Sequence, residues 1–290
     1  MTEPAADLVI LEPVELALPY AELGEGPHWD IETQSLYWVD IPGRLVHRMD
    51  DSGTHRSWEV GLPVGAVVPR ASGGLCVAAG NGFYGLDLET GEVTEIAAAP
   101  GLPDTRMNDG ACDRAGRFYA GTMDKDEGPG RGTFYRLDVD GSVTALFQGV
   151  GISNGVGWSP DDELMYYIDS HAYRVDVMEY DLATGQLGER RPFVAPLGSG
   201  ASVPDGLSVD SEGGVWAAVW GGGVIQRYDA AGQLSAVVRL PAAHVTSCAF
   251  GGPELDQLYI TTAAGPGRSA GALFTCPAGI KGLPAHPYRG

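Results

Sequence analysis

The chain has 290 residues, a length that all-β barrels and propellers often use as one domain. Its 43 glycines and 20 prolines indicate many short strands joined by tight turns, and long helices are not expected. Acidic residues outnumber basic ones by 38 to 18, and the formal charge of −20 would repel phosphate backbones and anionic membrane surfaces. We therefore expect neither nucleic acid nor a membrane as a partner.

The N-terminal segment lacks the features of a targeting sequence. Residues 1–20 carry acids throughout and no basic stretch ahead of an apolar core, which argues against a signal or transit peptide. No stretch is long enough to span a bilayer. The four cysteines are far apart without a C-x-x-C pair, which predicts reduced strand residues: Cys76, Cys112, Cys248 and Cys276. We expect a cytoplasmic protein, with residues 1–7 as a disordered tail.

One β-rich segment recurs six times along the chain. The copies begin 39 to 50 residues apart and read LYWVD from Leu36, LCVAA from Leu75, FYAGT from Phe118, MYYID from Met165, VWAAV from Val215 and LYITT from Leu258. Each copy is followed by a second strand, and most of these run into turns such as DLETG and DLATG that suit tight hairpins. Another strand precedes most copies. About four strands per unit is typical of a propeller blade.

Six such units predict an all-β fold, a six-bladed β-propeller with four-stranded antiparallel blades. Successive blades pack radially and close into a ring because one blade alone cannot bury both of its faces. The leading segment from Leu8 to Tyr20 has no partner in the first blade, so we expect it to complete the last one. The prediction is a single domain over residues 1–290. A seven-bladed propeller with one degenerate blade, or a pair of β-sandwiches, fits six evenly spaced units less well.

Polar residues occupy one repeat position, ten or eleven residues before the recurring segment. They are Glu25, Asn108, Asn154 and Asp205. The loops that precede innermost strands surround the central channel of a propeller, so these side chains should converge on its axis. Carboxylate and amide oxygens suit one divalent cation, Ca²⁺, Mg²⁺ or Mn²⁺, or else Fe²⁺ or Zn²⁺. Each residue alone would be interpreted as an ordinary turn residue, but the shared position favours a metal site.

Other residues are predicted to lie near the same mouth. The equivalent positions in blades two and six, near Gly65 and Ser247, leave those sectors open to a ligand. A second ring of carboxylates could come from the ends of the next strands, at Asp40, Asp126 and Asp169. Arg106 would either hold substrate oxygens with its forked donors or balance the charge of Asp126 or Asp104.

The run GISNG, residues 151–155, formally matches the G-x-S-x-G nucleophile elbow of serine hydrolases. That elbow requires a strand, a sharp turn and a helix, whereas this sequence continues as strand, turn and strand. Ser153 is therefore interpreted as a turn residue that presents Asn154. His171 follows Asp169 and is interpreted as a loop residue, since no histidine has metal-site spacing.

With these residues in view, the chain resembles the senescence marker protein, gluconolactonase and regucalcin family of six-bladed propellers. The resemblance covers nearly the whole chain and rests on blocks in the correct order: LGEGPHWD, LYWVDI, TRMNDGACDRAGRFYAGTMD, ISNGVGWSPDDELMYYIDS, PDGLSVDSEGGVWAAVWGGG, VTSCAFGG and LYITTA. It implies Glu25, Asn154 and Asp205 as metal ligands. It also implies substrate contacts from Arg106 and Asn108.

An acidic residue after G-T-M contacts the substrate in some members of this family. Its equivalent here is Asp126, or Asp124 if the alignment shifts by one gap. Where members carry glutamate, aspartate is one methylene shorter.

The resemblance implies metal-dependent hydrolysis of a sugar lactone, in the manner of a gluconolactonase of carbohydrate metabolism. A cation would polarise the lactone carbonyl while Asp205 acts as the base or, being also a ligand, orients the attacking water. The cation and Arg106 would stabilise the oxyanion, and Asn108 would fix hydroxyl groups in position. Hydrolysis of phosphotriesters or aryl esters and non-catalytic calcium binding stay as alternatives. We expect a monomer or a weak dimer.

Overall fold

The computed structural model describes residues 8–290, which form six small antiparallel sheets in a ring. This confirms the predicted six-bladed β-propeller with four-stranded blades. The innermost strands are β3 (Gly24–Asp30), β7 (Val64–Pro69), β11 (Thr105–Cys112), β15 (Ser153–Trp158), β20 (Val203–Val209) and β24 (Val245–Gly251). The second strands are β4 (Ser35–Asp40), β8 (Leu75–Ala79), β12 (Phe118–Asp124), β16 (Leu164–Asp169), β21 (Val215–Trp220) and β25 (Gln257–Thr262).

Two further layers of strands complete the blades. The third strands are β5 (Leu45–Asp50), β9 (Gly82–Leu86), β13 (Gly132–Leu137), β17 (Arg174–Asp181), β22 (Val224–Tyr228) and β26 (Phe274–Pro277). The outer strands are β6 (His55–Glu59), β10 (Val93–Ala98), β14 (Val143–Val150), β19 (Arg191–Val194), β23 (Leu234–Arg239) and β2 (Val14–Glu15). Additional short elements are β1 (Val9–Leu11), β18 (Gln186–Leu187) and a 3₁₀ turn (Ser170–Ala172). Within residues 8–290, no helix is long and apolar enough to cross a membrane.

The ring is closed by the N-terminal segment, as the sequence predicted. Strand β2 pairs antiparallel with β26 and supplies the fourth strand of blade six. The pairing of β1 was not predicted: this strand pairs in parallel with β23 at the outer edge of blade five. The N-terminal segment therefore joins two blades. The predicted disordered tail, residues 1–7, lies outside the described residues.

The hydrophobic core is divided among the interfaces between blades. Six buried clusters each combine side chains from two neighbouring blades. Between blades three and four, the ring centroids of Tyr119 and Trp158 lie 5.3 Å apart, and those of Phe134 and Tyr167 lie 4.8 Å apart. Each fully buried aromatic side chain contributes on the order of 2–3 kcal/mol. The blades are thus rigid supports for the channel that they surround.

Aspartates stabilise the hairpin turns between third and outer strands. In blade five, Asp229 accepts hydrogen bonds from the backbone N–H groups of Ala231 and Gln233, at 2.9 and 2.8 Å. Equivalent bonds at the turns of blades one, two and four involve Asp50, Asp87 and Asp181. An aspartate followed by a glycine, as D-x-x-G in blades one and five and as D-x-x-x-G in blades two and four, therefore encodes these turns through side chain to backbone bonds, which is why the pattern recurs with the repeat.

Candidate active site

All six innermost strands contain a β-bulge at an equivalent position. The register shifts lie between Glu25 and His28, Val64 and Ala66, Met107 and Gly110, Asn154 and Val156, Pro204 and Leu207, and Val245 and Ser247. A bulge bends its strand and redirects the local side chain. The four residues that the repeat singled out lie at four of these bulges. In the other two blades the extra residues are Gly65 and Thr246.

The four predicted residues are buried beside the propeller axis. Their exposed fractions are 4% for Glu25, 5% for Asn108, 4% for Asn154 and 6% for Asp205. Gly65 explains how the adjacent strands approach so closely, because a Cβ on it would lie 2.0 Å from the backbone oxygen of Asn108. Burial at this depth requires every polar atom to find a partner.

A series of side-chain hydrogen bonds runs from Arg106 through Asn108 and Asn154 to Ser170. Arg106 Nη1 donates to Asn108 Oδ1 at 2.7 Å, and Asn108 Nδ2 donates to Asn154 Oδ1 at 2.9 Å. Asn154 Nδ2 in turn donates to Ser170 Oγ at 2.8 Å. The chain fixes the orientation of both amides and leaves a lone pair of Asn154 Oδ1 for another partner.

The carboxyl groups of Glu25 and Asp205 lie within hydrogen-bonding reach of each other. Burial, with the charge of nearby Asp109, raises the pKa of Glu25 to about 8. Burial and the charge of Glu25 hold the pKa of Asp205 well above its usual range. Arg106 opposes both increases with its positive charge. The single guanidinium of Arg106 therefore offsets only part of the cost of ionising Glu25 and Asp205 together.

Asp109 is an axial residue that the sequence analysis missed. It is buried, its Oδ1 accepts the N–H of Gly110 at 2.7 Å, and burial raises its pKa to about 6. The bulge of β11 contains two residues opposite one on β12, so Asn108 and Asp109 are both displaced from the regular register. The only sequence signal was its place beside Asn108 in the run RMNDG.

The donor set fits a hard divalent cation. Glu25 and Asp205 offer carboxyl oxygens and Asn154 offers an amide oxygen, and a bound cation would favour the ionised form of both carboxyl groups against the effect of burial. Within residues 8–290 there is no cluster of three or more histidine, cysteine, aspartate or glutamate side chains with metal-holding geometry. This set therefore depends on an amide oxygen as its third donor.

The loop after β12 contains the acids considered as substrate contacts. Asp124 is buried and already engaged: its Oδ1 accepts the N–H of Asp126 at 2.8 Å, and its Oδ2 lies 2.8 Å from Arg131 Nε. Asp126 is exposed. Burial lowers the pKa of Arg106, and the negative charge of the neighbouring Glu127 acts in the opposite direction. Glu127 is therefore the acid of this loop that interacts with Arg106. Asp104 is paired with Arg131, at 3.7 Å.

Ser153 is the first residue of strand β15 rather than a turn residue, and the chain continues from β15 into β16 with no helix between them. It is fully buried, and its Oγ accepts a hydrogen bond from Tyr167 at 2.9 Å. This geometry agrees with the rejection of a nucleophile elbow. His171 is exposed in the 3₁₀ turn, and its N–H donates to Asp169.

The comparisons with known proteins support the resemblance. A family model described as an SMP-30/Gluconolactonase/LRE-like region matches residues 23–264. The chain is 40% identical to regucalcin from Danio rerio over 283 residues, 93% of this chain and 95% of that protein. It is 39% identical over 278 residues to a pentonolactonase from Haloferax volcanii, covering 90% and 93% of the two chains.

A solved structure of a relative has the same fold. The calcium-binding protein regucalcin from Agrobacterium tumefaciens aligns with a TM-score of 0.90 at 29% identity, over 97% of this chain and 99% of that one. The chain therefore belongs to the SMP-30/gluconolactonase/LRE-like family.

Proposed function

We propose that the protein hydrolyses a sugar lactone to the corresponding aldonic acid, with one divalent metal bound at the axis. The observation that carries the proposal is the buried carboxyl pair of Glu25 and Asp205 beside the hydrogen-bonded chain of Arg106, Asn108 and Asn154. Lactone hydrolysis needs a base and donors for a developing oxyanion, and this set offers both. The relative named as a pentonolactonase supports the same substrate class.

Glu25, Asn154 and Asp205 would hold the metal. When bound, the cation supplies a positive charge that polarises the lactone carbonyl and favours ionised carboxylates at the axis. Its identity among Ca²⁺, Zn²⁺, Mn²⁺, Mg²⁺ and Fe²⁺ is left to experiment. The relative described as a calcium-binding protein supports Ca²⁺ as the first cation to test.

Asp205 is the proposed base. It takes a proton from the attacking water, the water oxygen bonds to the carbonyl carbon, and the ring C–O bond breaks. The proton then passes to the ring oxygen as it leaves, so the product is an open-chain hydroxy acid. Arg106 would donate to the carbonyl oxygen, and Asn108 would fix hydroxyl groups of the sugar. Asp126, exposed on the loop after β12, is proposed to contact a further hydroxyl.

The proposal extends to the domain organisation, the compartment and the oligomeric state of the protein. We propose a single-domain enzyme of carbohydrate metabolism that acts in the cytoplasm as a monomer or weak dimer. The four cysteines are free and buried, which suits a reducing compartment. All proposed site residues come from one chain.

The test is acid release from five- and six-carbon aldonolactones. Protein stripped with a chelator would be supplied with each of the five cations, with Fe²⁺ added anaerobically, and compared with spontaneous hydrolysis. Metal-dependent turnover that Asp205→Asn loses and Asp229→Asn retains is the expected result. Asp229 is a suitable control because it lies in a hairpin turn of blade five.

A second candidate function is calcium binding without catalysis, which the description of the Agrobacterium relative favours. Calorimetric binding of Ca²⁺ with no turnover on any lactone would support this candidate and overturn the first. Turnover of aryl esters or phosphotriesters instead of lactones would change the substrate class.

A further inference from the structure

Two aspartates occupy the same place in different blades, at the end of the second strand. Asp40 ends β4 and pairs in register with Gly24, and Asp169 ends β16 and pairs with Ser153. Both side chains are buried, with 7% exposed fractions. A buried carboxylate needs compensating donors, so their partners reveal what the residues do.

The partners are backbone N–H groups of the loop that leads into the innermost strand. Asp40 Oδ2 accepts from Glu22 at 3.0 Å and its Oδ1 from Leu23 at 3.1 Å. These donors lie three and two residues before Glu25. The carboxylate therefore binds the backbone immediately ahead of a proposed metal ligand.

Blade four repeats this arrangement with the same offsets. Asp169 Oδ2 accepts from Gly151 at 3.0 Å and its Oδ1 from Ile152 at 3.2 Å. These donors lie three and two residues before Asn154. A bond from the N–H of Gly43 to Asp40, at 3.4 Å, and one from His171 to Asp169, at 3.2 Å, attach each carboxylate to its following loop as well.

We propose that Asp40 and Asp169 are positioning residues for the metal site, which act through the backbone of Glu25 and Asn154. This inference rests on the proposed function. Hydrogen bonds to an ionised acceptor are about twice as strong as neutral ones, and two of them fix both position and direction of the loop. The ligand side chain follows within three residues, at the bulge, so the loop determines where its oxygen lies.

The other two blades that carry predicted axial residues, blades three and five, do not have this arrangement. In blade three, Asp124 faces the loop after β12 rather than the loop before β11. In blade five the position belongs to Trp220, whose ring stacks on His244 with centroids 4.1 Å apart. Asp205 therefore has no such carboxylate, and the inference concerns Glu25 and Asn154 alone.

The experiment measures Mn²⁺ binding to full-length Asp40→Asn and Asp169→Asn by titration calorimetry and by electron paramagnetic resonance. Each substitution puts an NH₂ group opposite a backbone N–H. Outer-sphere partners of metal ligands are worth about 10–100-fold in affinity. We expect Mn²⁺ affinity to fall at least about tenfold in both variants, with an altered Mn²⁺ spectrum. Excess metal should restore most of kcat.

Asp229→Asn is the matched control, because Asp229 also accepts two backbone N–H groups but at a turn away from the axis. It should bind Mn²⁺ like the unaltered protein, even if its Tm falls by as much as those of the test variants. Unchanged Mn²⁺ affinity in a folded Asp40→Asn or Asp169→Asn would overturn the inference, and either variant alone suffices. Failure of the unaltered protein to bind any cation would instead overturn the proposed function.

Discussion

The two ends of the axial channel are built from the same six strands but differ in chemistry. Ahead of and at the bulges, Arg106, Asn108 and Asn154 form a connected polar chain. Beyond the bulges, the strands line a cavity of about 230 Å³ whose walls include Val156 and Leu207. Residues 283–286 also line this cavity.

Three titratable groups that line this cavity are either held neutral or paired: His28, Arg114 and Asp162. Burial lowers the pKa of His28 to about 4, and Arg114 Nη1 lies 2.8 Å from Asp162 Oδ2. The comparison teaches that one backbone feature, the bulge, separates the end that carries the proposed site residues from the end that carries the cavity. Substitutions at the two ends should therefore have different consequences.

The largest contrast is expected between carboxylates at the two ends. Asp205→Asn removes the proposed base and a metal ligand, so kcat on the best lactone should fall by about 10²–10⁴-fold. Asp162→Asn at the far end should leave kcat unchanged. Initial rates at saturating metal measure both, and equal rates in the two variants would contradict the assignment of Asp205.

A smaller contrast is expected between glycines. A Cβ at Gly65 would lie 2.0 Å from the Asn108 oxygen, so Gly65→Ala must move Asn108 and should lower kcat/KM by about 100-fold. At Gly157 the neighbours of such a Cβ are side-chain methyl groups of Leu207 and Val209, at 2.9 and 3.1 Å, rather than backbone atoms. Gly157→Ala should cost only about 1–3 kcal/mol of stability. Lactonase assays and thermal unfolding of both variants separate the effects.

Next in size is the substitution Arg106→Lys. Lysine keeps the charge but loses the planar donor set that reaches both Asn108 Oδ1 and the oxygen of Met107, at 2.7 and 3.0 Å. We expect KM to rise about tenfold. Arg114→Lys at the far end serves as the control, and a similar KM in both variants would show that Arg106 makes no substrate contact.

The smallest effect concerns stability at the far end. His28 has a pKa of about 4 in the folded protein, mainly through burial and against the opposing charge of Asp30. Below pH 6.5 His28 binds a proton in the unfolded chain but not in the folded protein, so the free energy of unfolding falls as pH decreases toward 4. Between pH 7.5 and 5.5 the loss is about 1 kcal/mol. Denaturant unfolding should show a smaller loss of stability between pH 7.5 and 5.5 in His28→Gln than in the unaltered protein. The same pH dependence in both proteins would contradict the role of His28.

Repeat arithmetic predicts the fold and the placement of the four axial side chains because both depend on periodic strand positions. It fails for Asp109, since sequence does not reveal whether a bulge displaces one residue or two. It also does not reveal the partners of Asp40 and Asp169, which are backbone N–H groups that no residue identity encodes. The extension of β1 onto blade five depends on an exposed edge that carries no periodic signal.

The closing strand has a consequence for biosynthesis. Strand β2, with Val14, precedes its partner β26, with Thr275, by all the strands of the other blades, so the last blade cannot be completed until β26 has been synthesised. Glu25 in blade one and Asp205 in blade five are brought together only by a ring that includes both. Nascent chains ending before β26 should therefore lack a closed ring and a complete axial site, and activity should appear only after β26 has been synthesised.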